Sequence, residues 1–150
     1  MMSASYFAQK KKEIKNLGIK TITVTETRKD KTTNDIITSY NNQGEISEEI
    51  NYDKEGNLKS TTKYKYNLEG DVIEECEYDS KNLLREKKQI KYNKKIKIEE
   101  LVTDKDNKIL KKIVYSYNNI GLKKERKTYD SLNTLISSKQ YNYEYKKTKK

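Results

Sequence analysis

The residues most able to do chemistry in this 150-residue chain are three acidic pairs, Glu48/Glu49, Glu74/Glu75 and Glu99/Glu100. Two carboxylates can share a proton or clamp a metal ion, but only where they converge on one point. Adjacent residues of a β-strand point to opposite faces, so in strands these pairs are split. The chain has no His, hence no imidazole base or imidazole metal ligand. Its single cysteine, Cys76, forms no internal disulfide, and a zinc site of thiolates and imidazoles is excluded. Cys76 reads as a small packed residue. No Gly-rich phosphate loop, activated nucleophile or pocket is indicated. The expectation is a protein that is not an enzyme, with no catalytic residue, no metal and no cofactor.

The other concentration of functional groups is aromatic. Thirteen residues are Tyr, with no Trp and one Phe. Most Tyr stand just before a turn, where a structural role accounts for them. Beyond that need lie the doublets Tyr64/Tyr66 and Tyr115/Tyr117, and the group Tyr141, Tyr143 and Tyr145. Members of each doublet share a face, and exposed aromatic patches suggest partners. Tyr64, Tyr66, Tyr115, Tyr117, Tyr141 and Tyr143 are therefore the candidate binding residues.

The elements that must position these groups are set by the turns. Asn41-Asn42-Gln43-Gly44, Asp53-Lys54-Glu55-Gly56, Asn67-Leu68-Glu69-Gly70 and Asn118-Asn119-Ile120-Gly121 share one pattern. Asp79 to Asn82, Asp104 to Asn107 and Asp130 to Asn133 repeat it with Asn last. This is a type I turn: Asn or Asp in first place bonds the backbone ahead, and the fourth residue takes positive φ. Gly44, Gly56, Gly70, Asn82, Asn107, Gly121 and Asn133 are thus structural turn residues. A type I turn closed by a left-handed residue is a hairpin with a G1 bulge. It pairs the residue before the turn with the residue two past its end, predicting Tyr40–Ile46, Tyr52–Leu58, Tyr66–Val72, Tyr78–Leu84 and Tyr129–Leu135.

The fold class that follows is all-β: an antiparallel up-and-down meander of nine to ten strands, in a single-layer or curled sheet. Strands are expected near 20–26, 33–40, 45–52, 57–66, 71–78, 83–92, 96–103, 108–117, 122–129 and 134–145. Turn-preceding positions are separated by 12 or 14 residues except between Tyr92 and Thr103, and the unit is about 26 residues. Even spacing predicts that every turn Tyr shares one face with its aliphatic partner. Glu45, Ser47, Glu49 and Asn51 then fall on the solvated face, and Glu48, Glu74, Glu86, Lys88 and Lys111 on the thin apolar one. Residues 93–98 lack the Gly or Asn signal, so a two-residue turn or a bulge must restore the register there.

Composition sets outer bounds. Hydrophobic residues make up 32% and charged residues 37%, leaving little apolar area to bury. The net charge of +10 sits in the two ends. Residues 40–79 are acidic and 80–115 basic, as in cross-strand charge pairing rather than a phosphate-binding face. The Lys-rich 143–150 stretch is expected to discourage pairing at the C-terminal edge. Residues 1–18 read either as a short helix capped by Gly18, with Phe7, Ile14 and Leu17 on one face, or as a signal-peptide remnant cleaved near Ala8. Residues 19–145 form the β-repeat domain and 146–150 a basic tail. No run is long and apolar enough to be a membrane-spanning helix.

The motif Tyr-Asn/Asp-x-x-Gly-x-aliphatic, carried best by Tyr52 to Leu58, Tyr66 to Val72 and Tyr40 to Ile46, resembles the YD repeat of bacterial Rhs-type proteins. The resemblance covers roughly residues 40–145. It implies a β-ribbon in a bacterial, exported context, often carbohydrate-interacting, and supplies no catalytic residue. The expectation is a non-enzymatic module with a structural or protein-binding role, secreted, periplasmic or at the cell surface, with a cytoplasmic location as the alternative. Its partner would be a protein or glycan at the cell envelope. Glycan binding through exposed Tyr and Lys is one alternative. Nucleic-acid binding through the basic C-terminal half is a weaker one. Oligomeric state stays open.

Overall fold

A computed structural model of the protein describes residues 4–146, with side chains from residue 10 onward. One helix, α1 (Ala4–Asn16), precedes ten strands. These are β1 (Thr21–Arg28), β2 (Lys31–Tyr40), β3 (Ile46–Tyr52), β4 (Leu58–Tyr66), β5 (Val72–Asp79), β6 (Leu84–Asn93), β7 (Ile96–Thr103), β8 (Ile109–Tyr117), β9 (Lys123–Asp130) and β10 (Leu135–Gln140). They form one open antiparallel sheet in sequence order, the expected meander. Contacts divide the chain into two compact units, residues 1–87 and 88–150.

The seven turns form as their composition requires. At the first, the Gly44 amide donates to the Asn41 carbonyl at 3.0 Å and the Asn41 amide to the Glu45 carbonyl at 2.8 Å. Asn41 Oδ1 accepts from the amides of Gln43 and Glu45, each at 3.0 Å. Asp79 does the same work at 2.9 Å for Lys81 and Leu83, and Asp130 for Leu132 at 2.9 Å and Thr134 at 2.8 Å. All seven fourth residues have positive φ, from 60° at Asn82 to 90° at Gly56. The register places Tyr40 opposite Ile46, Tyr52 opposite Leu58, Tyr66 opposite Val72 and Tyr129 opposite Leu135. The Tyr78 hairpin closes the same way, the Asp79 amide donating to the Leu83 carbonyl at 2.9 Å.

The faces differ from the expectation. Tyr40 is opposite Ile46, yet Ser39 is opposite Glu48, leaving Ser47 unmatched. Lys59 and Ile73 are skipped in the same way in the next two hairpins, as are Leu110, Lys124 and Ile136 in the second unit. One unmatched residue per hairpin reverses the side-chain alternation. Ile37 and Ile50 are opposite each other and so lie on the face away from Tyr40. Tyr52 sits with Ile50. Successive turn Tyr therefore alternate faces, and two hairpins restore the starting face. That is the physical content of the 26-residue unit separating Tyr40 from Tyr66 and Tyr52 from Tyr78. Glu49 and Asn51 accordingly share the face of Tyr40 instead of a separate solvated one.

The apolar groups consequently form thin cores on both faces. In the first unit, Ile14 of α1 is buried beside Tyr40, Ile46 and Tyr66. On the other face Thr61 is buried between Ile50 and Tyr78 in the ladder. In the second unit Val102, Ile113, Glu100 and Thr128 are buried, with Glu100, Ile113 and Thr128 opposite one another across three strands.

The helix ends as a Schellman motif. The Ile19 amide donates to the Ile14 carbonyl at 3.0 Å and that of Gly18 to Lys15 at 3.2 Å, with Gly18 at φ +64°. Leu17, expected on the packed face, lies past the helix end and is 74% exposed. The side chain of Phe7, the Ala8 region's side chains and most of the basic tail lie outside the described residues.

Two hairpins use tighter turns. The β6–β7 connection resolves the expected irregularity as a two-residue turn with Lys94 at φ +47° and Lys95 at φ +67°. Lys29 and Asp30 do likewise between β1 and β2, at +46° and +65°, so β1 and β2 extend further toward each other than expected. These are type I′ turns, which favour Asn-Gly. Replacing Lys94-Lys95 by Asn-Gly is expected to stabilise the protein by about 1–2 kcal/mol. The check is a raised urea midpoint with an unchanged slope; an unmoved midpoint would contradict it.

Candidate functional site

The candidate Tyr residues are tied into the sheet by a repeated pair of hydrogen bonds. In the first unit Tyr64 Oη donates to Glu49 Oε2 at 2.7 Å, and Tyr66 Oη to the Ile46 carbonyl at 2.8 Å. In the second, Tyr115 Oη donates to Glu100 Oε1 at 3.1 Å and Tyr117 Oη to the Lys97 carbonyl at 2.5 Å. The separations are 15 and 20 residues both times. A third copy keeps the backbone half, Tyr143 Oη donating to the Lys123 carbonyl at 2.6 Å. Tyr141 falls where Tyr64 and Tyr115 do, but its ring faces Lys123 Nζ at 5.3 Å.

Each hydroxyl so bonded is a donor held by a fixed acceptor. Burial pushes the Tyr64 phenol up, and its bond to Glu49 pushes it further. Burial and the charges of Glu45 and Glu49 raise Tyr66 to about 12. Burial also raises Tyr117. At neutral pH these phenols stay protonated and act as ties, not as bases or nucleophiles.

The acidic pairs are divided as the strand period requires. Glu48 meets Lys63 Nζ at 3.6 Å, while Glu49 serves Tyr64. Glu74 pairs with Lys65 at 2.7 Å. Glu99 pairs with Lys91 at 2.8 Å and Glu100 with Lys97 at 2.6 Å. Cys76 Sγ lies 3.7 Å from Glu74 Oε1; burial and that carboxylate raise the thiol, keeping it protonated. Among the described residues no three His, Cys, Asp or Glu side chains are placed to hold a metal.

Lysines occupy several ring faces. Lys123 Nζ is 5.0 Å from the Tyr115 centroid, and Lys97 Nζ is 5.5 Å from it. Lys63 covers Tyr78 and Lys112 covers Tyr129, each at 5.3 Å. Cation–π contact of this kind leaves less ring face for a sugar. The rings left more open are C-terminal: Tyr141, Tyr143 and Tyr145 are 36%, 41% and 68% exposed. Leu132, Leu135 and Ile136 of the last hairpin are exposed with them. The last strand ends at Gln140, short of the expected residue 145, so Tyr141 to Tyr145 follow it without strand structure.

Sequence reasoning missed a second feature. A cavity of about 190 Å³ lies where α1 crosses the face of Tyr40, and Ile14, Ile46, Tyr66, Lys10 and Lys11 line it. Lys11 Nζ bonds Glu45 Oε1 at 2.6 Å, and Asn41 Nδ2 donates to Glu45 Oε2 at 2.9 Å. Burial acts to raise the Glu45 carboxyl, but Asn41 and Lys11 outweigh it and hold the group below its ordinary range. The local signals of this crossing are Ile14, expected on the apolar face of the helix and buried here, and Gly18, which ends the helix and turns the chain into β1.

No protein-family model matches the chain, and no curated protein matches it. Solved structures that are similar in part include two from Bacteroides species. One is a protein of unknown function from Bacteroides fragilis NCTC 9343, at 14% identity and a TM-score of 0.46, covering 84% of this chain and 95% of that one. The other is a porin-like protein from Bacteroides uniformis ATCC 8492, at 12% identity and a TM-score of 0.37, covering 71% and 68%.

Proposed function

We propose that the chain is a non-catalytic β-repeat module of the YD type that presents an exposed surface to a protein partner at the cell envelope. One observation carries this reading. The hydroxyls of Tyr64, Tyr66, Tyr115 and Tyr117 are bonded within the sheet, while the last hairpin and the segment after it leave Leu132, Leu135, Ile136, Tyr141 and Tyr145 open to solvent. Grouped apolar and aromatic exposure of this kind marks a contact surface. Glycan binding is the weaker reading, because lysines lie over the Tyr78, Tyr115 and Tyr129 rings. Nucleic-acid binding is weaker again, since Arg85, Lys91 and Lys97 of the basic stretch face Glu77, Glu99 and Glu100.

Cross-linking in the native host followed by fractionation tests the proposal. The protein is expected in the envelope fraction, starting beyond Ala8 and bound to a partner. The triple variant Leu132→Ser, Tyr141→Ser, Tyr145→Ser is expected to lose that adduct. A purely cytosolic protein, or an adduct undiminished in the variant, would overturn the reading.

A further inference from the structure

The two outermost strands of the sheet each have one neighbour, and both are exposed along almost their whole length. An unpaired edge is a template for another strand unless Pro, charge or a bulge blunts it. The chain has no Pro. β1 carries one acid and one Arg, and β10 a single Lys. The lysines expected to guard the C-terminal edge follow Gln140, where β10 has already ended.

The free backbone groups can be assigned by counting. The Lys20 carbonyl accepts the Tyr40 amide at 2.9 Å, so even-numbered residues of β1 direct their backbone groups toward β2. Arg28 and Lys31, which close the two-residue turn, agree with this count. Thr21, Thr23, Thr25 and Thr27 therefore direct theirs outward. On β10 the Tyr141 amide donates to the Lys124 carbonyl at 3.0 Å. Lys139 is thus turned toward β9, and Ser138 and Gln140 outward. The β10 edge of one copy can therefore meet the β1 edge of another as an antiparallel pair, the arrangement of every neighbouring pair in the meander.

We propose that the β10 edge of one copy pairs with the β1 edge of the next, continuing the meander from chain to chain. The occupant of each edge is a second copy because one register satisfies both backbone and charge. Ser138 opposite Thr27 and Gln140 opposite Thr25 join outward groups to outward groups. The same register sets Lys139 opposite Glu26 and Tyr141 opposite Val24, repeating interior pairings such as Lys63 with Glu48 and Tyr40 with Ile46. Glu26 holds Arg28 through Oε2 at 2.5 Å, leaving Oε1 for Lys139. Such joining is head-to-tail, so a pair of copies joined by one contact still offers a free β1 edge and a free β10 edge.

This inference names a partner for the structural module proposed above and rests on that reading. Sedimentation velocity of the full chain over a concentration series tests it. Wild type is expected to grow steadily in size with concentration. Glu26→Lys opposes two lysines and Lys139→Glu two glutamates; each alone is expected to weaken assembly about tenfold. An equimolar mixture of the two variants is expected to recover it, because each then offers the other an opposite charge at both edges. A protein that stays monomeric, one that stops at a closed dimer, single variants that assemble like wild type, or a mixture that fails to recover would each overturn it. A monomer that still forms the envelope adduct fails this inference alone, whereas assembly without any adduct fails the envelope reading alone.

Discussion

Gly44→Ala is expected to destabilise the first unit by about 3 kcal/mol or more, against about 1–2 kcal/mol for Gly121→Ala in the second. Both glycines end the same kind of turn, with φ of +78° and +82°. Both lose the conformational tolerance that only a residue without Cβ has there. They differ in what lies above them. A Cβ on Gly44 would stand 2.5 Å from the Lys11 carbonyl oxygen and 3.1 Å from the Lys15 amide nitrogen, while one on Gly121 meets nothing within 4 Å. The obstacle at Gly44 is helix backbone, which has no rotamer to change, so α1 must lift and uncover Ile14, Tyr40 and Tyr66. Urea unfolding measures the difference, and hydrogen exchange of the α1 amides locates it. Equal losses for the two variants would show that the helix does not rest on this turn.

The second large effect is expected at Lys97. Glu100 is 6% exposed, and its Oε1 takes both Lys97 Nζ at 2.6 Å and the Tyr115 hydroxyl at 3.1 Å. Burial opposes ionisation of Glu100, but the bond and charge of Lys97, the Tyr115 hydroxyl and the charge of Lys88 hold the carboxyl below its ordinary value. Lys97→Met removes the principal compensation and leaves a buried acid under-served. The expected loss near pH 7 is about 2–3 kcal/mol, below the full penalty for a broken buried pair because Lys97 is partly exposed. A carboxyl depressed on folding contributes stability above its unfolded pKa and loses it as pH falls through the folded one. Wild type should therefore lose this contribution as acid carries the pH below the ordinary carboxylate range. Lys97→Met should already lack it, so the stability gap between the two narrows as acid is added. A gap that stays constant down to acid unfolding would refute the assignment. Lys97 itself is raised although burial works against it, because Glu100 bonds it. Its share persists to alkaline pH and fades only above the ordinary lysine value.

The turns were legible in the sequence because their chemistry is local. An Asx side chain reaches two and four residues ahead, and the left-handed position admits Gly or Asn, so seven turns, five of them with an aromatic–aliphatic pair, follow from residue type. Face alternation was not legible. The unmatched residue is Ser47, Lys59, Ile73 or Leu110 in different hairpins, and no shared chemistry marks it. The Lys29-Asp30 and Lys94-Lys95 turns lack the Gly or Asn that such turns favour, so strand length had to imply them. The Tyr doublets were visible, but their use was not. Their acceptors lie 15 and 20 residues away, a distance set by the register of two adjacent strands, β3 and β4. The splitting of each acidic pair between faces follows from strand period alone, whereas Cys76, read as a small packed residue, is half-buried beside Glu74.

Alternation between faces also governs how such a gene can change in length. Loss or gain of one hairpin would send every later aromatic to the other side of the sheet from the one it shares with its earlier counterparts. Duplication of two hairpins together leaves every downstream residue in its old surroundings. Inherited variation in size should therefore proceed by whole face-to-face cycles, and a descendant with a half cycle would have to carry a compensating insertion of a single residue.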